Sequence, residues 1–315
     1  MRRYVLSRLW GGLVVMFIVV SLVFFIVRII PGDPAAVMLG PDATAQDVQQ
    51  LRTQMGLNDS LPTQYLRFMR NSATGDLGQS IFLNKPVLSA LTDRAEPTFF
   101  LTLMAISVAM LVGIPAGVIS ATQRGRVADQ VTVSFAMLLA SLPSFWLGLM
   151  FMRVFSVDLG WFPVSGYGEP GASLGQRLYH LVLPALVLGL ISSALVTRFT
   201  RSSLLDVLGE DYVRTARAKG LSEFVVVMKH AFRNAFIPIL TVLGMTLALL
   251  LGGAVVTESV FNLPGVGNLV VSAVSRRDYP VIQGALMVIA AIYVVVNLAV
   301  DLTYAVVDPR VRVGT

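Results

Sequence analysis

The chain has 315 residues, 55% of them hydrophobic and only 13% charged, with a mean hydropathy of +0.75 and a formal net charge of +6. A soluble domain is about one-quarter charged, so this composition excludes an ordinary globular protein and indicates an integral membrane protein. The chain has no Cys, and its two His, His180 and His230, are far apart; disulfides, thiolate nucleophiles and thiolate metal sites are excluded, and a His-based metal centre is disfavoured.

Arg2, Arg3 and Arg8 precede a long apolar run, and residues 9–30 are the first predicted span. The run is longer than the apolar part of a signal peptide and no small-x-small site closes it. It therefore reads as a retained helix with its N-terminus in the cytoplasm. Pro31-Gly32-Asp33-Pro34 stops that helix, because Pro lacks a donor and Gly-Asp favours a turn. Residues 31–96 form a polar lobe outside the membrane, mildly acidic with five Lys/Arg against seven Asp/Glu. Within the lobe a helix is predicted at 44–55, with Thr44 as N-cap and Asp47 three residues on, and another at 63–71. The stretch 75–80 reads as a turn or short extended piece.

Further spans are predicted at 99–121, 131–154, 181–199, 238–257 and 281–302. The second holds Gly113 and Gly117 around Pro115. That spacing admits a close neighbouring helix and equally fits a proline kink beside small residues. The third contains Pro143 and the fourth Pro184, with a Gly/Pro/aromatic loop between them. Residues 257–280 read as a loop containing Phe261-Asn262-Leu263-Pro264-Gly265-Val266-Gly267. The fold class is thus all-α and polytopic, a single domain of six spans over 1–315.

Six spans with an internal N-terminus also place the C-terminus in the cytoplasm. With Arg198 at the inner end of the fourth span counted among them, the cytoplasmic segments then carry 14 of the 24 Lys/Arg, and the longer outer segments carry eight. This excess supports the orientation and puts residues 200–237 in the cytoplasm.

That stretch is the most charged part of the chain. Residues 202–219 read as one helix, with Glu210 positioned to pair with Arg214 four residues later. Lys219 suits the last turn, Gly220 a left-handed cap, and Ser222 the start of a second helix that ends near Asn234, before Pro238. A DNA-binding helix-turn-helix is disfavoured, because both ends are tethered between spans. A pair lying on anionic lipid and a docking knob for a soluble partner both fit. The small residues Ala216, Ala218 and Gly220 favour docking. None of the three Lys follows a Gly, so no Gly-Lys-Ser/Thr phosphate loop is present and ATP would have to be hydrolysed by another polypeptide.

Asp211-Tyr212-Val213-Arg214-Thr215-Ala216-Arg217-Ala218-Lys219-Gly220-Leu221 resembles the cytoplasmic EAA loop of binding-protein-dependent ABC importer permeases. The form is that of the dipeptide, oligopeptide, glutathione and nickel importers. Ala216 and Gly220 are kept, while Arg214 and Thr215 stand where the general pattern has Glu and Ala, as is usual in this branch. Pro31-Gly32-Asp33-Pro34, Gly75-Asp76-Leu77-Gly78, Arg277-Asp278-Tyr279-Pro280 and Asp308-Pro309-Arg310 look like further landmarks in the same order. The resemblance implies the type I ABC importer permease fold in a bacterial inner membrane. It implies a second homologous permease chain as a heterodimer partner, two ATP-binding subunits that hold ATP and Mg, and a periplasmic substrate-binding protein. This chain would bind no cofactor, metal or nucleic acid and catalyse nothing itself. Glu210, Tyr212, Arg214, Thr215, Ala216, Arg217, Lys219, Gly220 and Leu221 would couple to the ATPase.

A path for a polar substrate needs small or polar groups within the spans. Ser141, Ser144, Ser192, Thr246 and Glu258 are the candidates, although serines in membrane helices mostly bond their own backbone. Glu258, as an ionisable residue near a span end, is a functional candidate, with a surface pair to Arg276 or Arg277 as the alternative. The reading is a permease for di- or oligopeptides or glutathione. Its alternatives are a nickel or nickel-chelate permease, and an ion-gradient-driven transporter, which calls for mid-span ionisable residues and inverted repeats.

Overall fold

The computed structural model describes residues 2–29, 34–40, 43–80 and 82–307. The landmarks at 31–33 and 308–310 lie outside the described residues. The helices are α1 (Arg2–Ile29), α2 (Pro34–Leu39), α3 (Ala45–Gln54), α4 (Leu61–Ala73), α5 (Val87–Thr122), α6 (Val127–Ser141), α7 (Ser144–Asp158), α8 (Leu174–Leu208), α9 (Asp211–Ala218), α10 (Glu223–Val260), α11 (Val266–Ser275) and α12 (Tyr279–Val307). Before α5, the two-residue strands β1 (Gln79–Ser80) and β2 (Lys85–Pro86) pair antiparallel. Five of these helices are long and apolar enough to cross a membrane, and α6 with α7 makes a sixth candidate, bent by 100°.

The third span expected over 131–154, with Pro143 inside it, consists of two helices that meet at this bend. Pro143 has no N–H to donate and forces Leu142 out of helical geometry, to ψ 130°. A proline stops nothing at 238, where α10 runs straight through, and Pro97, Pro115 and Pro184 likewise lie inside helices. Neighbouring helices can compensate a lost hydrogen bond in such settings. The stretch 257–280 is not all loop, because α11 occupies its middle.

The described residues divide into two compact units. The first comprises 2–96 and 265–295. In it Phe24 packs edge-on to Tyr65 at 5.2 Å, and the Ser21 and Tyr65 hydroxyls are hydrogen-bonded, so α4 is held on α1. Thr44 and Asp47 form a reciprocal capping box at the start of α3, as the sequence predicts. Ser80 donates to the buried Asp278 carboxylate at 2.5 Å and accepts from the Leu83 N–H, which ties the ribbon to the turn before α12.

The second unit comprises 97–264 and the chain from 296 onward. α8 and α10 pack on each other along much of their length. At 1.5 Å per residue, α5, α8 and α10, with 36, 35 and 38 residues, are each more than 50 Å long, against roughly 30 Å of hydrocarbon. The end of α8 and the start of α10 lie at the same end of this antiparallel pair, with α9 between them.

α5 and α8 meet at backbone distance. A Cβ on Gly113 would lie 2.7 Å from Val196 Cβ and 2.9 Å from the Ser193 carbonyl. One on Gly117 would lie 2.5 Å from Thr200 Cβ and 2.8 Å from the Thr197 carbonyl. In the opposite direction Gly189 of α8 faces Val108 and the Ala105 carbonyl of α5, at 2.5 and 2.7 Å. The Gly113/Gly117 spacing thus serves close helix approach. Gly117→Ala should destabilise the purified chain by about 1–3 kcal/mol through overpacking. At Gly252, where a Cβ meets nothing within 4 Å, the same change should be neutral or stabilising. Denaturation of the two variants in mixed detergent measures the difference, and equal stabilities would contradict the seam.

Candidate functional site

The charged stretch folds as a corner that continues α8 and α10. The single helix expected over 202–219 is interrupted: α8 ends at Leu208, Gly209 caps it, and Glu210 is extended (φ −70°, ψ 148°) as the N-cap of α9. Glu210 is thus outside the helix, and the expected Glu210–Arg214 pair gives way to Arg214 on Asp211 at 3.3 Å. Asp211 in the first turn and Arg217 in the last both complement the helix dipole.

The turn between α9 and α10 needs its glycine for conformation. Gly220 has φ +77°, and a Cβ there would meet nothing within 4 Å. Across this turn Arg217 forks onto Glu223, with Nη2–Oε1 at 2.7 Å and Nε–Oε2 at 3.1 Å. The carboxylate holds the Arg217 guanidinium above its ordinary pKa. Ser222 caps α10 by backbone geometry alone, without a side-chain bond. Within α10, a π turn over Val226–Ala231 widens the helix just past the corner. Asn234 Nδ2 then donates to the Tyr212 hydroxyl at 2.8 Å, which pins α9 to α10.

Ala216 faces inward. It packs with Val213, Val226, Val207 and Leu208 in a small core of the corner. The expectation that Ala216 lends its small size to an approaching partner is corrected accordingly; a larger side chain there would strain the corner's own packing. The outward surface carries Tyr212, Leu221 and Phe224, the last 77% exposed, set among Arg214, Lys219 and Glu210. Thr215 is exposed and bonds back to the Asp211 carbonyl.

A buried polar knot lies behind the corner. Asp129, in the first turn of α6, accepts Arg201 Nε and Nη2 at 2.8 and 2.9 Å, the Ser120 hydroxyl at 2.5 Å and the Gly125 N–H at 2.9 Å. Neither residue stands out in the sequence, where Asp129 falls between the second and third predicted spans and Arg201 is one of several charges in 200–237. Seventy-two residues separate them, and no local pattern pairs them.

The candidate path residues do not converge on one site. Ser141 and Ser144 flank the bend, and the Ser141 hydroxyl donates to the Met137 carbonyl of its own helix. Ser192 is half-buried on α8. Thr246 on α10 is buried, and its hydroxyl has no hydrogen-bond partner among the described residues. Glu258 is fully buried and accepts the Thr98 hydroxyl at 2.5 Å, joining α5 to α10. Among the described residues no group of three or more His, Asp or Glu could hold a metal ion.

Comparison with known proteins bears on this arrangement. Residues 113–313 match the family described as the inner membrane component of binding-protein-dependent transport systems, and residues 1–102 match its N-terminal part. A probable peptide ABC transporter permease of Sinorhizobium fredii, y4tP, is 42% identical over 98% of this chain and 99% of its own length. The glutathione transport system permease GsiC of Escherichia coli K12 is 43% identical over 99% of both. Among solved structures, a chain of the MetNI methionine ABC transporter in an inward-facing form aligns with a TM-score of 0.58. It is 18% identical and covers 70% of this chain and 96% of that one, a likeness of fold.

Gly220→Ala should weaken the corner by about 1–2 kcal/mol, because an L side chain is strained in the left-handed region. Gly220→Asn should cost less, since Asn visits that region more readily. Hydrogen exchange of the amides in α9 and the start of α10 reads the change, and unaltered protection in Gly220→Ala would contradict this account of the turn.

Proposed function

Because this chain belongs to the inner membrane components of binding-protein-dependent transport systems, with the ABC importer permease fold, we propose that it is the permease subunit of an ATP-driven importer of peptides, in the range from glutathione to oligopeptides. The observation that carries the peptide class is identity of 42–43% along nearly the whole chain to relatives named for peptide and glutathione transport. On this reading the chain supplies half of the pathway and a second homologous permease the other half. Large apolar side chains such as Trp10, Leu111 and Leu249 are exposed, a surface suited to lipid and to that second chain.

The corner is the proposed contact with two ATP-binding subunits, which hold ATP and Mg. Tyr212, Leu221 and Phe224 offer the apolar contact, and Glu210, Arg214 and Lys219 form its polar rim. Arg217, Thr215, Ala216 and Gly220 keep the corner in shape. It joins two helices that both continue through the membrane, so a displacement of an ATPase subunit would reach α8 and α10 as rigid-body motion. Both termini are then cytoplasmic, and residues 31–96 form a periplasmic lobe placed to meet the substrate-binding protein. Ser141, Ser144, Ser192, Thr246 and Glu258 remain the proposed polar positions along the path.

Phe224→Asp should abolish co-purification of the ATP-binding subunits, or reduce binding-protein-stimulated ATP hydrolysis, while the chain stays folded in the membrane. Normal stimulation in Phe224→Asp would remove the corner from the coupling role. In proteoliposomes holding the whole complex and its binding protein, ATP-dependent uptake of labelled glutathione, a labelled dipeptide or a labelled oligopeptide is expected. Uptake of none of the three would overturn the peptide assignment.

A further inference from the structure

The Asp129 carboxylate is 5% exposed and takes four hydrogen bonds from three other parts of the chain: the end of α5, the α5–α6 turn and α8. A buried ion pair is a poor source of stability, since desolvation offsets the attraction and well-packed apolar residues hold helices equally well. What a forked guanidinium–carboxylate pair adds is geometry, because two parallel bonds define orientation as well as distance. Beside this pair, Gly117 rests on Thr197 and Thr200, so the α5–α8 separation is already set by backbone contact. α6 also packs on α8 through Ala136, Leu139 and Ala194, and the fork adds a stop against rotation that these apolar contacts lack. Arg201 stands two turns before Leu208, where α8 ends and the corner begins.

We infer that Asp129 and Arg201 are positioning residues for coupling: they lock α5, α6 and α8 together, so that displacement of the corner moves the Pro143 bend along with α8. The inference rests on the corner being the ATPase contact proposed above. Without the lock, α8 could rotate within its apolar contacts with α5 and α6, and less of the push would reach the bend that Ser141 and Ser144 flank. Ser120 and Gly125 complete the lock by satisfying the remaining carboxylate lone pairs, so that the fork alone does not have to hold Asp129.

The chain has no Cys, so two spin labels can be placed without background, at Arg124→Cys in the α5–α6 turn and Asp206→Cys near the end of α8, both exposed. In the full complex with its ATPase subunits, the label–label distance is expected to be single and the same in nucleotide-free and ATP-trapped states. Asp129→Asn keeps an acceptor for Ser120 but removes the charge facing Arg201. It should broaden and shift that distance on ATP trapping. It should also lower stimulation of ATP hydrolysis by the partner binding protein roughly fivefold or more, while basal hydrolysis is retained. Arg201→Lys keeps the charge and loses the fork, and is expected to behave in the same way. A distance that already changes with ATP in the labelled parent would overturn the inference, as would unchanged distance and stimulation in both variants. A parallel loss of basal and stimulated hydrolysis, or failure of both variants to assemble, would reduce the pair to a structural role and also overturn it. Failure of the proposed function itself would be seen earlier, as absence of ATPase subunits from the parent complex.

Discussion

The close approach of α5 and α8 is the constraint on which the rest of the second unit depends. Between apolar helices in lipid the hydrophobic effect offers no net attraction, so association relies on packing and on polar contacts between helices. Gly113 and Gly117 bring α5 onto α8 carbonyls, and Gly189 returns the contact in the other direction. The seam is reciprocal and repeats at helical spacing, which makes it stiff along its length. The seam joins α8 to α5, and the Asp129 fork together with the packing of Ala136, Leu139 and Ala194 joins it to α6.

The corner joins two membrane helices through a short third one. α8 and α10 are both longer than the bilayer is thick, so each has residues to spare beyond a span. A short helix between them turns inward the apolar residues that would otherwise be wet, with Val213, Ala216 and Val226 closing a small core. The ion pair across the turn and the Asn234–Tyr212 bond hold the outer face in one arrangement. Exposed pairs of this kind add little stability. Their effect is on shape.

Much of this was legible in consecutive residues. The capping box at Thr44, the left-handed turn at Gly220 and the apolar runs are local properties, set by hydrogen-bonding groups three residues apart or by the conformation one residue must adopt. Other features were not. The break at Gly209-Glu210 falls inside a pattern that reads as one helix, because an extended cap costs a single hydrogen-bonded turn and leaves the periodicity nearly intact. Pro143 and Pro238 look alike in sequence, yet one ends a helix and the other does not. The difference lies in what surrounds each, and propensity does not record it. α11 is only ten residues long, too short for periodicity to separate a helix from a loop.

By itself the sequence determined that the chain spans a membrane, that a charged segment interrupts its spans at 200–237, and that ATP is not bound here through a lysine phosphate loop. It did so because hydropathy, charge distribution and a missing motif are sums over neighbouring residues. Only the tertiary structure decided that Asp129 belongs with Arg201, that Ala216 faces inward, that Glu258 is buried against Thr98, and which helices the glycines join. Those are pairings between distant positions, chosen by which surfaces fit once the helices exist, and one-dimensional order carries no record of them.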